Sequence, residues 1–285
     1  MTVKLISNNI ILVDSSYTTF HRFFATLRWF SLAHMDTYKL HKDDPLFDWG
    51  SDPIFIEKYK KMYLESIIKL VSQKVFDSSI LIFCLDSPQS TLWRKELSAC
   101  YKGNRADLSL KNNFKPTFKM TYELLIPSLT KEYKNIHMLR RDTMEADDII
   151  AIMVRYIRYK RPSKTIYLVS GDNDFLQLGY DKLYFADYKK KDLIQLTKEE
   201  AKEALHQKII NGDCSDNIPS IFPKELNIKN KMKTLTRENK DELKKYLNMN
   251  PSAKAQYNSN MTMISFKYIP KELRPPIYTF IKKII

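Results

Sequence analysis

Thr165-Ile166-Tyr167-Leu168-Val169-Ser170-Gly171-Asp172-Asn173-Asp174 is the stretch on which the reading of the fold turns. Its apolar run, bounded by Pro162 upstream and Gly171 downstream, predicts a buried strand ending in a turn. Asp172 and Asp174 stand two apart just beyond the strand end, where an α/β sheet presents ligand groups. Carboxylates held that close repel unless a cation lies between them, and oxygen ligands suit Mg²⁺ or Mn²⁺. Alone, such a pair reads first as an ordinary Asp-rich turn after a strand. Its repetition along the chain changes that reading.

The 285 residues, 44% of them hydrophobic, are enough for one large domain or one and a half. Forty-seven basic against 33 acidic residues leave a net charge of +14, which favours a polyanionic partner such as nucleic acid over a membrane surface. A basic protein without such a partner is the plain alternative. Cys84, Cys100 and Cys214 are odd in number and widely spaced, which suggests neither a zinc site nor a disulfide framework. A reducing intracellular compartment is expected: cytoplasm, nucleus or a viral replication site. The short apolar run Ile10 to Val13 is ended by Asp14, so no signal peptide and no secretion are expected, and no stretch reaches the roughly 20 apolar residues of a spanning helix. Three of the five glycines, Gly103, Gly171 and Gly212, sit in polar clusters where the backbone must turn sharply or approach something closely.

Asn9 to Val13 reads as the first strand, and Asp14 either caps the following helix, Tyr17 to His34, or joins a site. Residues 36 to 52, with Pro45 and Gly50, read as a loop; a helix is expected from Pro53 to about Phe76 and a strand from Ser79 to Leu85, ended by Asp86. Thr117 to Leu129 reads as a helix and Asn135 to Leu139 as a strand. Thr143 as cap would put Glu145, Asp147 and Asp148 in a first helical turn, where the dipole favours acids. Glu145 and Asp148, three apart, share a face able to chelate, with Asp147 beside them. After the opening stretch come a strand, Lys182 to Phe185, and a helix from about Thr197 to Ile210 that leads into Gly212-Asp213-Cys214-Ser215-Asp216-Asn217. An Asx-turn would explain one of those two carboxylates but not both.

Alternating strands and helices predict an α/β fold with a mostly parallel central sheet and helices on both faces. In it Asp14, Asp86, Asp172 and Asp174 emerge at one sheet edge, where the helix carrying Glu145, Asp147 and Asp148 also begins. Nine carboxylates, counting Asp213 and Asp216, would repel strongly unless divalent metals relieved them. Two such ions suit hydrolysis at phosphorus. Ser87 to Lys119 carries seven basic and two acidic residues interleaved with Trp93, Tyr101 and Phe114, a pattern suited to single-stranded nucleic acid, with a solvated helical face as the alternative.

The ordered set Val13-Asp14, Leu85-Asp86, Tyr101-Lys102-Gly103-Asn104-Arg105, Glu145-Ala146-Asp147-Asp148, Ser170-Gly171-Asp172-Asn173-Asp174 and Gly212-Asp213-Cys214-Ser215-Asp216-Asn217-Ile218-Pro219 resembles the 5′-to-3′ exonuclease and flap endonuclease family, that of phage 5′ nucleases and the 5′-nuclease domain of bacterial DNA polymerase I. The resemblance spans about residues 9 to 225. It implies a PIN-like 5′-nuclease core over residues 1–228, with an arch or gateway at 87–120, a helix-hairpin-helix region at 197–228 and a basic C-terminal segment at 229–285. It implies hydrolysis of DNA near a 5′ end, flap or junction to 5′-phosphate and 3′-hydroxyl, in replication, repair or recombination. By motif, Asp14, Asp86, Glu145, Asp147, Asp172 and Asp174 resemble the acids that hold Mg²⁺, as two ions, and Asp148, Asp213 and Asp216 the outer part of that cluster. Lys102 and Arg105 match the basic pair that reaches the scissile phosphate. Arg94 and Lys95 would line the arch, Tyr101 would stack on the terminal base or pack in the core, and Lys111, Lys115 and Lys224 would add nucleic-acid contacts.

The chain also departs from that family. Where the family continues into Gly-x-Gly-Pro-Lys, this sequence has Pro219-Ser220-Ile221-Phe222-Pro223-Lys224, without glycine. A degenerate hairpin is therefore expected, which puts duplex anchoring there, and its K⁺, in question. Residues 229–285 hold 13 basic and 4 acidic residues and offer a substitute grip on the duplex, or a docking segment for a replication protein. A haloacid-dehalogenase-type phosphatase would need an acid at position 16, where Ser16 stands. An RNA-directed 5′ exonuclease of related fold and a non-catalytic factor that binds branched DNA remain as alternatives. Richness in lysine, asparagine and isoleucine suggests an AT-rich, viral genome.

Overall fold

The computed structural model describes residues 8–104, 113–190, 192–223 and 240–285, with Lys240 by its backbone alone. Six strands form one sheet in the order β3-β2-β1-β4-β5-β6. They are β1 (Asn9–Asp14), β2 (Ser79–Leu85), β3 (Ile136–Arg140), β4 (Thr165–Val169), β5 (Leu183–Ala186) and β6 (Leu193–Gln195). All neighbours pair in parallel except β5 with β6. Ile10 to Val13 are fully buried, as a central parallel strand covered on both faces requires.

Alternation along each strand divides the apolar residues into two cores. Ile10, Leu12, Ile82 and Leu168 face one core with α8 (Ala146–Lys160) and α12 (Pro275–Ile284). Ile11, Val13, Leu81 and Phe83 face the other with α1 (Ser15–Ala33), α3 (Pro53–Val71) and α7 (Ile126–Glu132). From β1 the chain steps outward through β2 to β3, and β4 then returns to the other flank of β1. The strand order therefore reverses between β1 and β4, where doubly wound sheets open a crevice at the carboxyl ends.

Some expected elements shift, for identifiable reasons. Residues 36 to 52 are not all loop: α2 (Met35–His41) and a 3₁₀ turn at Trp49–Ser51 lie there, organised by Trp49, whose buried ring packs on Phe30, Phe47 and Phe55. The helix expected to run to Phe76 stops at Val71 and restarts as α4 (Gln73–Asp77) after Ser72, whose φ is 82°. A short helix α5 (Arg94–Leu97) follows β2. The next helix begins earlier than expected, as α6 (Lys115–Met120), and reaches α7 through a π turn at Thr121–Leu125. Pro127, which has no N–H to continue the α ladder, accounts for the wider turn. Thr143 is not the cap of α8; it takes φ 65°, and Glu145 caps instead in a reciprocal box with Asp148.

Beyond α9 (Lys198–Asn211) and the mostly backbone-driven turns to Pro223, the C-terminal part holds α10 (Lys240–Met249) and α11 (Pro251–Ile264). The polar loop expected at Asn248 to Asn260 is thus largely helix. Its polar residues misled the reading because one of them, Asn260, is fully buried. Residue 228 does not separate a core from an appended tail either: Phe266, Ile269, Ile277 and Ile281 sit in the same core as β1 and α8. Replacing Ile277 or Ile281 by Ala should therefore cost about 2–5 kcal/mol, as in other fully buried aliphatic sites; urea denaturation of each variant measures it, and a cost near zero would mean that α12 does not close this core.

Candidate active site

Asp14, at the end of β1, divides its two carboxylate oxygens between two tasks. One accepts from the backbone N–H of Tyr17 at 3.0 Å and caps α1, and the other accepts from the Ser170 hydroxyl at 2.9 Å. The cap and the site are therefore one residue rather than alternatives. Asp86, after β2, accepts from the Ala146 N–H at 2.7 Å, at the positive end of α8, and from the Ser16 hydroxyl. Ser16 also lies 2.8 Å from the hydroxyl of Tyr122. Beyond β4, the Asp172 N–H donates to Ser170 at 3.1 Å, and its carboxylate accepts from the Asp174 N–H at 2.9 Å. Ser170 thus ties the Asp172 turn to Asp14 across the β1–β4 reversal. Gly171 leaves room for that approach: a Cβ there would meet the Tyr17 hydroxyl at 2.5 Å.

These acids press on one another. Burial first, then Asp86, pushes the Asp14 carboxyl up to about 7. Burial likewise raises Asp86, with Glu145 adding to it. Asp147 is held well above the usual carboxylate range by burial, then by Asp172 and Asp14. An all-oxygen group of like charges, three of them raised by burial and by neighbouring carboxylates, fits a hard divalent cation. Asp14, Asp86, Asp147 and Asp172 are the residues that would hold it.

Glu145 and Asp148 do share a helix face, as their spacing requires, but that face meets Arg94. The Arg94 guanidinium lies 2.8 Å from a carboxylate oxygen of each, and Trp93 Nε1 donates to Asp148 at 2.9 Å. Asp148 is completely buried and Arg94 only 3% exposed. Two corrections follow: Asp148 belongs to a buried ion pair rather than the outer metal cluster, and Arg94 does not line an arch. The sequence placed Asp148 in the outer metal cluster and Arg94 along the arch because an arginine in a basic stretch gives no sign that it folds inward.

Lys102 does reach the site. Its ammonium pairs with Glu145 and lies 3.9 Å from Asp216. Despite burial, Lys102 and Arg94 hold the Glu145 carboxyl below its usual range. Lys102 takes φ 56°, fixed by its N–H on the Asp216 carbonyl at 3.0 Å and by Gln89 on its own carbonyl at 2.7 Å. Tyr101 is the packed tyrosine of the two alternatives: 3% exposed, its hydroxyl is 2.8 Å from Glu145 and 3.1 Å from Asp216. Ser16, Asp86, Ser87, Gln89, Lys102 and Glu145 line a cavity of about 200 Å³ beside these groups.

A second carboxylate group stands next to the first. One oxygen from each of Asp174, Asp213 and Asp216 falls within 4.8 Å of the others. Gly212, with φ 70°, makes the turn that brings Asp213 in, and a Cβ there would strike the backbone of Ile218 and Pro219. Lys208, in the last turn of α9, pairs with Asp174 and, at 2.8 Å, with Asp213. Against burial, Lys208 and Ser215 hold the Asp213 carboxyl low. Lys115 is exposed at the start of α6, and Lys95 is partly exposed with its ammonium 3.4 Å from the Ala99 carbonyl. Arg105, Lys111 and Lys224 lie outside the described residues, as do 105–112 of the expected arch and the end of the expected hairpin region. The sequence missed Ser16, Ser170, Gln89 and Lys208. Only Ser170, opening the Ser-Gly-Asp turn, stood where a reader could have weighed it.

The chain matches the family described as 5′-3′ exonuclease, N-terminal resolvase-like domain, over residues 9–207. It belongs to this family. Ribonuclease H of Enterobacteria phage T4 is 25% identical over 248 residues, covering 80% of this chain and 78% of that protein. A 5′-3′ exonuclease of Buchnera aphidicola subsp. Schizaphis graminum (strain Sg) is 28% identical over 162 residues, 54% of this chain and 52% of its own length, so the match spans about half of that relative. Two bacteriophage T5 structures share the fold. A 5′-exonuclease with bound zinc superposes with TM-score 0.63 at 17% identity, over 97% of this chain and 99% of the other. A flap endonuclease variant in complex with DNA and metal ions gives 0.62 at 18% identity, over 97% and 98%. The expected 5′-nuclease fold and family membership thus hold, and the chain is a nuclease by family.

The raised carboxyls give the metal-free protein a defined pH response. The folded state holds protons on Asp14 that the unfolded chain, with an ordinary value of 3.8, has released by pH 5. Stability should therefore fall as pH rises from about 4 to about 7 and level off above that. Thermal melting in chelator across this range tests it. Asp147→Asn, which removes a like charge, should flatten the decline and raise the melting temperature at pH 8.

Proposed function

We propose that this chain is a divalent-metal-dependent, structure-specific 5′ nuclease, acting as flap endonuclease and 5′-to-3′ exonuclease on DNA with a 5′ flap, end or junction. The observation that carries this reading is the meeting of Asp14, Asp86, Asp147 and Asp172 at the β1–β4 reversal with Lys102 at their side. The DNA and metal ions named for the T5 relatives support it. Ions bound at the two carboxylate groups, Mg²⁺ or Mn²⁺ in our reading, would supply Lewis-acid stabilisation of the phosphoryl oxygens and a more acidic water. Asp14, Asp86, Asp147 and Asp172 would hold one, and Asp174, Asp213 and Asp216 the other once Lys208 swings aside. Lys102, released from Glu145 by substrate, would neutralise charge growing on the scissile phosphate. The products would be a 5′-phosphate and a 3′-hydroxyl, as DNA replication, repair or recombination requires.

The name of the T4 relative, ribonuclease H, favours RNA as a second substrate. A labelled 5′-flap duplex, with nicked, blunt and RNA-strand versions in parallel, separates these. Cutting near the junction should need a divalent ion and stop with EDTA, and Asp172→Asn should lower kcat at least a hundredfold, a loss of several kcal/mol in transition-state stabilisation. Lys102→Ala should lower kcat with little change in KM. A folded wild type that cuts no strand with metal present would end the nuclease reading.

In our reading the basic C-terminal segment adds grip on the duplex. Lys244 and Lys245 of α10 and Lys282 and Lys283 of α12 are exposed and suit phosphates. Deleting the whole segment would remove core residues, so surface changes are the clean test. Lys244→Ala with Lys245→Ala should reduce the slope of log affinity against log salt by about 2; an unchanged slope would assign these lysines to solvent or to a replication-protein partner.

A further inference from the structure

The C-terminal end of α11 touches all three acidic regions, and does so through directed hydrogen bonds. Arg94, which holds Glu145 and Asp148, donates its Nε to the Met263 carbonyl at 2.9 Å. Gln177 lies on the 3₁₀ turn that carries Asp174 and follows Asp172. Its amide donates to the Ile264 carbonyl at 3.1 Å and accepts from the Phe266 N–H at 3.0 Å. One turn earlier, the buried Asn260 amide donates to the Ile209 carbonyl at 2.9 Å and the Pro219 carbonyl at 2.8 Å, on either side of the loop bearing Asp213 and Asp216. Gln256 donates to the Asn260 oxygen at 2.7 Å, so every polar atom of that amide is used.

The last carbonyls of a helix have no partner within it and must find one outside. Here those partners are Arg94 and Gln177, so satisfying the helix end and fixing the acidic segments are the same event. The held segments have little regular structure of their own. Asn173–Leu178 and Cys214–Asp216 are 3₁₀ turns, and the Gly212 loop is closed by a bridge from Asp213 to Ile218. Lys208 bridges Asp174 and Asp213, but an ammonium on a flexible stem joins these segments without fixing their orientation.

We propose that Gln177 and Asn260 are positioning residues of the nuclease site, through which α11 sets the mutual spacing of the Asp172–Asp174 turn, the Asp213–Asp216 loop and the Arg94-bound Glu145. This rests on the metal-dependent nuclease reading above.

Gln177→Met keeps the length of the side chain and removes both hydrogen bonds; Asn260→Ala provides a second variant. The readouts are Mn²⁺ binding by electron paramagnetic resonance, kcat and KM on the flap duplex across Mn²⁺ concentrations, and amide hydrogen exchange of the metal-free protein. Ile277→Ala serves as a control that loses stability away from the acidic segments. For Gln177→Met we expect Mn²⁺ affinity to weaken about tenfold, the size typical when a partner supporting metal ligands is lost. We also expect lower kcat at unchanged KM, and faster exchange over residues 173–178 in the metal-free state. Ile277→Ala should leave Mn²⁺ affinity of the folded protein unchanged. If wild type binds Mn²⁺ and cuts, and Gln177→Met matches it in affinity and exchange, the positioning role is overturned while the nuclease reading stands. If wild type neither binds nor cuts, the nuclease reading falls and takes this inference with it.

Discussion

Repulsion among buried carboxylates is the constraint around which the rest of this molecule is arranged. Asp14, Asp86 and Asp147 sit where burial and neighbouring carboxylates raise all three, and the chain supplies Asp14 and Asp86 with neutral donors: a serine hydroxyl, a backbone amide, the start of a helix. Such donors orient carboxylates without neutralising them. The parallel sheet makes this tolerable. Its apolar strands are covered on both faces, and that stiffness holds the strand ends together against their repulsion.

The neighbouring acids are treated in the opposite way. Glu145 and Asp148 receive Arg94, Glu145 also receives Lys102, and Asp174 and Asp213 receive Lys208. Arg94 is deeply buried, pairs with two carboxylates and caps a helix end, so it is part of the framework. Lys102 and Lys208 are single ammonium groups on flexible stems, without the planar fork that locks Arg94 to two carboxylates. One patch of acids thus contains a deeply buried guanidinium and two lysine ammoniums, one of which, Lys102, also acts at a distance on Asp86 and Asp147.

Much of this was legible in the sequence because it depends on short-range grammar. The runs 9–14, 79–85 and 165–169 are apolar, short and ended by acids, which fixes strands, their parallel order and the edge that carries Asp14, Asp86 and Asp172. What stayed hidden depends on partners distant along the chain. Nothing near Arg94 reveals that Glu145, Asp148 and Met263 enclose it. Asn260 looked like loop because its polar neighbours dominate the window, and its bonds to Gln256 and to the backbone carbonyls of Ile209 and Pro219 make its burial acceptable. Helix phase explains the reversal at Asp147 and Asp148: with Glu145 and Asp148 turned to Arg94, Asp147 points the other way, toward Asp14 and Asp172.

The placement of α12 has a bearing on how the chain is made. Ile10 and Leu12 are made long before Ile277 and Ile281, yet the core they enter is completed by those two residues. Contacts so far apart in sequence close late and at high entropic cost. During synthesis, one face of β1 can be covered by α1 and α3 soon after they emerge, while the other gains α8 later and is completed only when α12 follows. A half-made molecule would thus carry its acidic strand ends on a sheet finished on one side only, and the geometry that brings Gln177 to α11 would come last.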